Sequence, residues 1–362
     1  MLKELRAEKP RAELRFWCDK KFAPQARATV AAFDSSLQFE TIIAGKLRRY
    51  HHLTLWQQLT WPSLVASNIR DLFLVGIGVV QSFFKLIAWR PDVIFTKGGY
   101  VCLPVGIAAR LLRIPLVIHD SDAHPGLTNR ILSKWATYIA TGAPLEYYPY
   151  DHQISTYVGI PIDQKFHPVS KPAQRRAKKE WGLDPKQPVV VVTGGGLGAT
   201  RINEAVVKSL KKIQQFASVV LVSGAGQHAE LVDRLPENSD RFQLHPFVTN
   251  MSSLLSAADV VVTRAGATTI LELAALEKPT ILIPNGKLTG GHQLKNAAVY
   301  EAAHAVKIVN EEAMEQDPNV LIKSVQHLVQ HPDEGAAMAK TFHMFSKPNA
   351  AKDVAALIIS AV

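Results

Sequence analysis

Short runs of apolar, β-branched residues alternate with longer helical patterns along most of this chain, and that alternation leaves few folds open. In the first half ELRFWC is followed by an apolar helical stretch, then DVIFT, a glycine turn, the helical VGIAARLL and the run PLVIH. Strand and helix in this order build parallel sheets with crossover helices. A second series begins after a proline- and lysine-rich stretch from Pro161 to Pro188: VVVVT, a glycine loop, a helix, VVLVSG, FQLHPFV, VVVTRAG, a helix and TILIP. The prediction is an α/β protein with two Rossmann-like, doubly wound parallel-sheet domains. Residues 1–160 form the first and residues 188–340 the second. Residues 161–187 supply a linker and the second domain's first helix, and residues 341–362 a C-terminal helix that packs back on the first domain. A length of 362 residues suits two domains.

The start of the chain departs from this grammar. A doubly wound domain opens with a strand, a glycine-rich turn and a helix, whereas Met1 to Glu8 read as the last turns of such a helix. The first strand is central in the order 3-2-1-4-5-6. A strand and glycine loop upstream of Met1 are therefore expected, and in-frame translation of the upstream DNA tests this.

Composition narrows the partners. A net charge of +10 favours an anionic partner, whether nucleotide phosphate, anionic lipid or nucleic acid. The basic residues are dispersed and no nucleic-acid motif frames them, so nucleic acid is not expected as a partner. Cys18 and Cys102 are too few and too far apart for a zinc cluster or a disulfide framework, which points to a reducing compartment. The charged N-terminus lacks the apolar stretch of a secretory signal, so export is not expected. Residues 72–88, LFLVGIGVVQSFFKLIA, approach the length of a membrane span, but Gln81, Ser82 and Lys85 interrupt them, and a buried amphipathic helix is expected instead. Upstream, Lys46, Arg48, Arg49, His51 and His52 lie near Trp56 and Trp61. That mixture suits either an anionic membrane surface or a solvated basic loop.

Chemistry gathers at the ends of the predicted strands. In ADVVVTRAGATTILE a strand ends at Arg264, Ala265 and Gly266, and a helix starts near Ala267, Thr268 and Thr269. Helix-start amides and the positive end of the helix dipole suit a diphosphate. Glu272 falls one turn after Thr268, placed to accept hydrogen bonds from vicinal ribose hydroxyls. In TILIPNGKLTGGHQLKNA, Gly290 and Gly291 precede His292 and Gln293, whose donors and acceptors suit sugar hydroxyls. Gly194, Gly195, Gly196 and Gly198 also fit a dinucleotide fingerprint. That fingerprint wants an acid at the end of the next strand, where VVLVSGAGQ has Ser223 and Gly224. In the first half, Gly98, Gly99 and Tyr100 follow one strand, and His119, Asp120, Asp122 and His124 follow another. These two carboxylates and two imidazoles include a candidate general base, but no further ligand completes a metal site.

The order KGGYV, HDSDAHPGLTNR, VGIP, GGGLGATRIN, FVTNM, ADVVVTRAGATTILELAA, GGHQLKNA resembles the MurG family of GT-B glycosyltransferases, family 28, over nearly the whole chain from about Pro91 onward. The resemblance implies a GT-B fold with its two domains facing a cleft. It implies UDP-N-acetylglucosamine (UDP-GlcNAc) as donor and lipid I as acceptor, with inverting transfer to the muramyl 4-hydroxyl that gives lipid II for peptidoglycan. It also implies peripheral attachment to the cytoplasmic face of the cell membrane, an anionic surface, which favours Lys46 to Trp61 and Leu72 to Ala88 as a membrane-contacting face, and no cofactor or metal. Carried over by position, Val248 meets uracil through its backbone, Ala267, Thr268 and Thr269 hold the diphosphate, and Glu272 holds the ribose. His292 and Gln293 meet the GlcNAc hydroxyls, and Asp122, Gly196, Arg264 and Gly266 complete the donor side. Gly98, Gly99, Tyr100, His124 and Asn129 fall on the acceptor side.

This chain departs from the family where Gly196 replaces a common Ser, Asp120 and Asp122 replace Glu and Asn, and Asp163 replaces a frequent Arg. The family's N-terminal GGH element, which contributes to the acceptor and catalytic region, has no counterpart here, so the resemblance leaves two expectations: Asp120 or His119 takes over the role of base, or the chain binds donor without turning over. Three other activities fit the same residues: transfer to another lipid such as diacylglycerol, epimerisation of a UDP-sugar, and non-catalytic binding of a UDP-sugar.

Overall fold

Each predicted apolar run becomes a parallel strand. The computed structural model describes residues 1–34, 37–47, 54, 56–57, 60–196, 198–286 and 291–362. These divide into two units, residues 1–161 with 349–362, and residues 162–348.

In the first unit β1 (Arg15–Cys18) pairs in parallel with β2 (Gln38–Thr41). A four-stranded parallel sheet is built in sequence order from β3 (Ile94–Thr96), β4 (Leu116–Asp120), β5 (Tyr138–Thr141) and β6 (Ser155–Tyr157). The two ends of the chain meet on it. Leu5 of helix Leu2–Glu8 and Val354, Ala355 and Ile358 of helix Ala350–Ser360 cluster with Val117, Ala140 and Val158 of the sheet region. Burying this common apolar face joins segments that lie far apart in sequence.

Helix Pro62–Trp89 corrects the expectation for residues 72–88. It is 28 residues long, and its apolar side is exposed rather than buried. The side turned toward the unit carries Asp71, Val75, Gly78, Ser82 and Leu86, spaced three or four residues apart. Gly78 is needed there, because a Cβ at that position would lie 2.0 Å from the Ile43 carbonyl oxygen. The outer side carries Ile69, Leu72, Phe73, Ile77, Val80, Phe84 and Ile87, with Phe73 72% and Phe84 66% exposed. By length and composition the helix could cross a membrane. Trp56 and Trp61 just before it are also exposed, as is Lys46, whereas Arg48, Arg49, His51 and His52 lie outside the described residues.

The second unit holds a six-stranded parallel sheet made of β7 (Val189–Thr193), β8 (Ser218–Val222), β9 (Phe242–His245), β10 (Val260–Thr263), β11 (Thr280–Leu282) and β12 (Lys307–Ile308). Its spatial order is β12-β11-β10-β7-β8-β9, which is the Rossmann order 3-2-1-4-5-6 read from the far edge. β7, β8 and β10 are buried along their full length, as strands covered by helices on both faces must be. Helix Thr200–Ile213 supplies one cover through Ile202, Ala205, Val206, Leu210 and Ile213.

Candidate functional site

The strand order fixes where the second unit binds a ligand. Chain direction out of the sheet reverses between β7 and β10, and in open α/β sheets the crevice at that switch point, at the carboxyl ends of the strands, takes the ligand. Three loops start at strand ends there, after β7, β10 and β11.

After β7 the glycine loop turns tightly. Gly195 N–H donates to Thr193 Oγ1 at 3.2 Å. Gly198 has φ 75°, and a Cβ there would lie 2.1 Å from the Ser223 carbonyl oxygen, so only glycine lets the loop pack on the end of β8. Asn203 Nδ2 donates to that same oxygen at 3.0 Å. With Ser223 buried and no acid at the end of β8, this strand lacks the ribose-binding carboxylate of a dinucleotide site. Gly196 is exposed on the loop, beside Leu197, which lies outside the described residues.

After β10 comes helix Ala267–Ala275, with Gly266 in extended conformation at its N-cap. No side chain caps this helix and its first turn carries no acid. Helices Lys171–Glu180, Met251–Ala257 and Glu311–Gln316 are capped by Ser170, Asn250 and Asn310, whereas helices Thr200–Ile213 and His292–Ala302, which follow the other two loops, are uncapped like this one. The first amides of the helix at Ala267, Thr268 and Thr269 have no carbonyl one turn back to bond, so they and the dipole favour an anion. Glu272 is partly buried one turn on. Burial, then the nearby Asp163 carboxylate, raise its pKa to about 7.

After β11 the described chain resumes at Gly291, which N-caps helix His292–Ala302 at φ 62°; Gly290 lies outside the described residues. Gln293 Oε1 accepts from Asn285 N–H at 2.9 Å, which bridges the two sides of that loop. His292 is half-buried beside it, and Val248 is buried in the loop after β9.

The structure corrects the expectation for Arg264 as a group facing the donor. Its guanidinium turns into the unit, donating Nη1 to Ile283 O at 3.1 Å and Nη2 to the Glu311 carboxylate. A buried guanidinium finds its acceptors there rather than in the crevice.

In the first unit β4 brings His119 and Asp120 to its carboxyl end. His119 is corrected as a base. It is fully buried, with Nε2 2.8 Å from Gly159 O and Nδ1 3.2 Å from Ser121 Oγ. A carbonyl only accepts, so Nε2 donates and Nδ1 receives the Ser121 hydroxyl. Burial lowers its pKa to about 4, which leaves a neutral imidazole with both nitrogens engaged. Asp120 is also buried, and its pKa is raised to about 7 by burial, against hydrogen bonds from Tyr150 and Asn129 that favour the carboxylate. Tyr150 donates to Asp120 Oδ2 at 2.7 Å and stacks on Tyr148, whose hydroxyl donates to Asp122 O. Asn129 Nδ2 donates to His119 O at 3.2 Å, linking helix Leu127–Leu132 to the strand end. Gly98 and Gly99 form the turn after β3, Tyr100 reaches Asp19 beyond β1, and His124 is half-buried after β4.

Sequence reasoning missed Tyr150, Asp19 and Glu311. Only Asp163 among such partners carried a signal, its departure from the family's arginine. Among the described residues no cluster of three or more His, Cys, Asp or Glu could hold a metal ion. Tyr150→Phe is expected to raise the Asp120 pKa further, because the lost hydroxyl favours the carboxylate. Its cost is about 1–3 kcal/mol once the group is charged. Denaturant unfolding well above and well below pH 7 checks this: a penalty that does not grow with pH would remove Tyr150 as the carboxylate's partner.

An uncapped helix start at the switch point of a Rossmann-ordered sheet, with a carboxylate one turn inside, following a first unit of parallel strands and helices, defines a protein of the GT-B glycosyltransferase class. The solved structure of MurG from Acinetobacter baumannii has this fold, with a TM-score of 0.69 at 21% identity over 96% of this chain and 99% of that one. The descriptions Glycosyltransferase family 28 N-terminal domain and Glycosyltransferase family 28 C-terminal domain match residues 2–141 and 189–354. A relative from Bacillus cereus, named UDP-N-acetylglucosamine--N-acetylmuramyl-(pentapeptide) pyrophosphoryl-undecaprenol N-acetylglucosamine transferase 2, is 32% identical over 85% of this chain and 82% of its own length. The transferase of the same name without the number, from Clostridium kluyveri, is 32% identical over 82% of this chain and 78% of its own. The chain belongs to glycosyltransferase family 28.

Proposed function

We propose that this chain transfers N-acetylglucosamine from UDP-GlcNAc to the muramyl 4-hydroxyl of lipid I, with inversion, giving lipid II in peptidoglycan synthesis. The relatives' names give the substrates. The observation that carries the donor side is the uncapped start of helix Ala267–Ala275 at the switch point, with Glu272 one turn in.

In this reading the Ala267, Thr268 and Thr269 amides receive the diphosphate, and Gly266 and Gly196 let it come close to the backbone. Glu272 accepts from the ribose hydroxyls, Val248 offers its backbone to uracil, and His292 with the Gln293 amide meets the sugar. The 4-hydroxyl oxygen bonds to the anomeric carbon as the carbon–phosphate-oxygen bond breaks. UDP leaves with the electron pair, and the hydroxyl proton passes to a base. The helix start stabilises the negative charge that grows on the diphosphate, so no resident cofactor or metal enters the reading. The base in this reading is Asp120, which stands at the carboxyl end of β4 with Oδ2 held by Tyr150 and leaves Oδ1 to take the proton, its pKa raised to about 7 by burial. Gly98, Gly99, Tyr100, His124 and Asn129 surround the acceptor's approach on the first unit, and Asp122 belongs with the donor contacts.

The apolar outer side of helix Pro62–Trp89, with Trp56, Trp61 and Lys46, lies on the cytoplasmic face of an anionic membrane and holds the enzyme where its lipid acceptor is. Incubation of the purified chain with radiolabelled UDP-GlcNAc and a soluble lipid I analogue is expected to yield UDP and a labelled disaccharide product. Release of UDP without label transfer, or a 2-epimer of the donor as product, would overturn the reading.

A further inference from the structure

Glu311 is the first residue of helix Glu311–Gln316, just beyond β12, and is only 6% exposed. Its two carboxylate oxygens serve two different arginines. Oε1 receives Nη2 of Arg264, and Oε2 receives Nη1 of Arg201 at 2.9 Å. Arg264 follows β10 and also donates to Ile283 O, immediately after β11. Arg201 is the second residue of helix Thr200–Ile213, right behind the glycine loop, and its Nε lies 3.4 Å from Glu315 Oε2. One buried carboxylate thus ties together the ends of β10 and β11 and the helix start after β7, which are the three places from which the donor loops spring. A second brace acts on the same loop: Asn296 Nδ2 donates to Ala265 O at 3.2 Å.

Buried ion pairs add little net stability over apolar packing of the same volume, because desolvation of the charges offsets their attraction. What they supply is direction. A guanidinium offers its donors in a fixed plane, so a carboxylate gripping two of them fixes the backbone from which both arginines extend.

We propose that Glu311 is a positioning residue for the donor's diphosphate, acting through Arg264 and Arg201 on the loop and helix starts that line the switch point, without touching the ligand. The proposal rests on the donor reading above. It assigns Arg264 the task of aligning the amides of Ala267 to Thr269 instead of meeting phosphate oxygens with its own side chain. Catalytic preorganisation of this kind depends on groups outside the contact shell.

The test uses the full chain as wild type, Glu311→Gln, Glu311→Asp and Arg201→Gln, titrated by calorimetry with UDP and, at high concentration, with uridine. Uridine reports the base and ribose contacts, and only UDP reports the diphosphate. Glu311→Gln is expected to weaken UDP by about tenfold or more, the scale of one charge-assisted hydrogen bond, and uridine by no more than about twofold. Glu311→Asp is expected to restore part of the loss. Arg201 is the more exposed arginine, with 28% of its side chain accessible, so Arg201→Gln tests the link even where Glu311→Gln fails to fold; it is expected to weaken UDP selectively and less. Equal losses for UDP and uridine would reduce Glu311 to general stability and overturn the proposal. So would UDP affinity that is unchanged, or that rises because freed arginines reach phosphate. Wild type that binds neither compound would instead defeat the donor reading itself.

Discussion

Glutamine in place of Glu272 is expected to lower affinity for UDP-GlcNAc by about tenfold to a hundredfold, the loss of charge-assisted hydrogen bonds to two ribose hydroxyls. It is also expected to make the fold more stable at alkaline pH. Both effects follow from one partly buried carboxyl. Burial first, and the Asp163 carboxylate second, raise the Glu272 pKa from an ordinary 4.5 to about 7. Donor affinity in the wild type should therefore strengthen as pH rises through about 7 and the carboxylate forms. Asp163→Asn removes only the second cause, so it should shift that rise to lower pH without returning it to the ordinary carboxylate range.

The stability effect has the opposite sign. A folded-state pKa above the unfolded one means that the folded protein holds a proton the unfolded chain has already released, so stability falls as pH climbs from the ordinary value through about 7. Glutamine cannot ionise and is spared that loss, which amounts to at most a few kcal/mol and less in proportion to the group's partial exposure. Calorimetric titration and thermal unfolding across the neutral range check both. Donor affinity that is flat with pH, or equal in Glu272→Gln and wild type, would remove Glu272 from the donor site.

Aspartate at both Phe73 and Phe84 is expected to weaken binding to anionic phospholipid vesicles by about a hundredfold or more. Each phenylalanine buried in the interface contributes about 1.5–3 kcal/mol, and each aspartate adds repulsion from anionic headgroups. Both rings are largely exposed, so the fold loses few contacts. Uridine nucleotide affinity, which the proposed function assigns to the other unit, should stay as it was. Co-sedimentation beside a UDP titration separates the two: a variant that still sediments fully with vesicles would show that another surface meets the membrane.

Much of the candidate donor side was legible as local structure, because a parallel sheet writes its strand ends in local sequence. A buried strand, a glycine turn and a helix start must follow one another within about a dozen residues, so VVVTRAGATTILE announces the strand, the turn and the helix start with its open amides. The same locality placed His119 and Asp120 at a strand end. It did not reveal that His119 is closed off by Gly159, forty residues away, or that Asp120 is held by Tyr150. Helix Pro62–Trp89 failed for a related reason. Its apolar residues were visible, but which side faces the unit depends on the close approach of Ile43 at Gly78.

The sequence by itself determined the strand and helix order, the two-unit plan, the loops that follow β7, β10 and β11, and the family, since each follows from residues near one another in the chain. Tertiary structure alone decided which of the charged and polar side chains are engaged: Arg264 on Glu311, Arg201 on the same carboxylate, Glu272 under the influence of Asp163. These partners are separated by 47 residues or more. Burial strengthens charge–charge and hydrogen-bond interactions by removing water, and only folding specifies which groups share that dry environment.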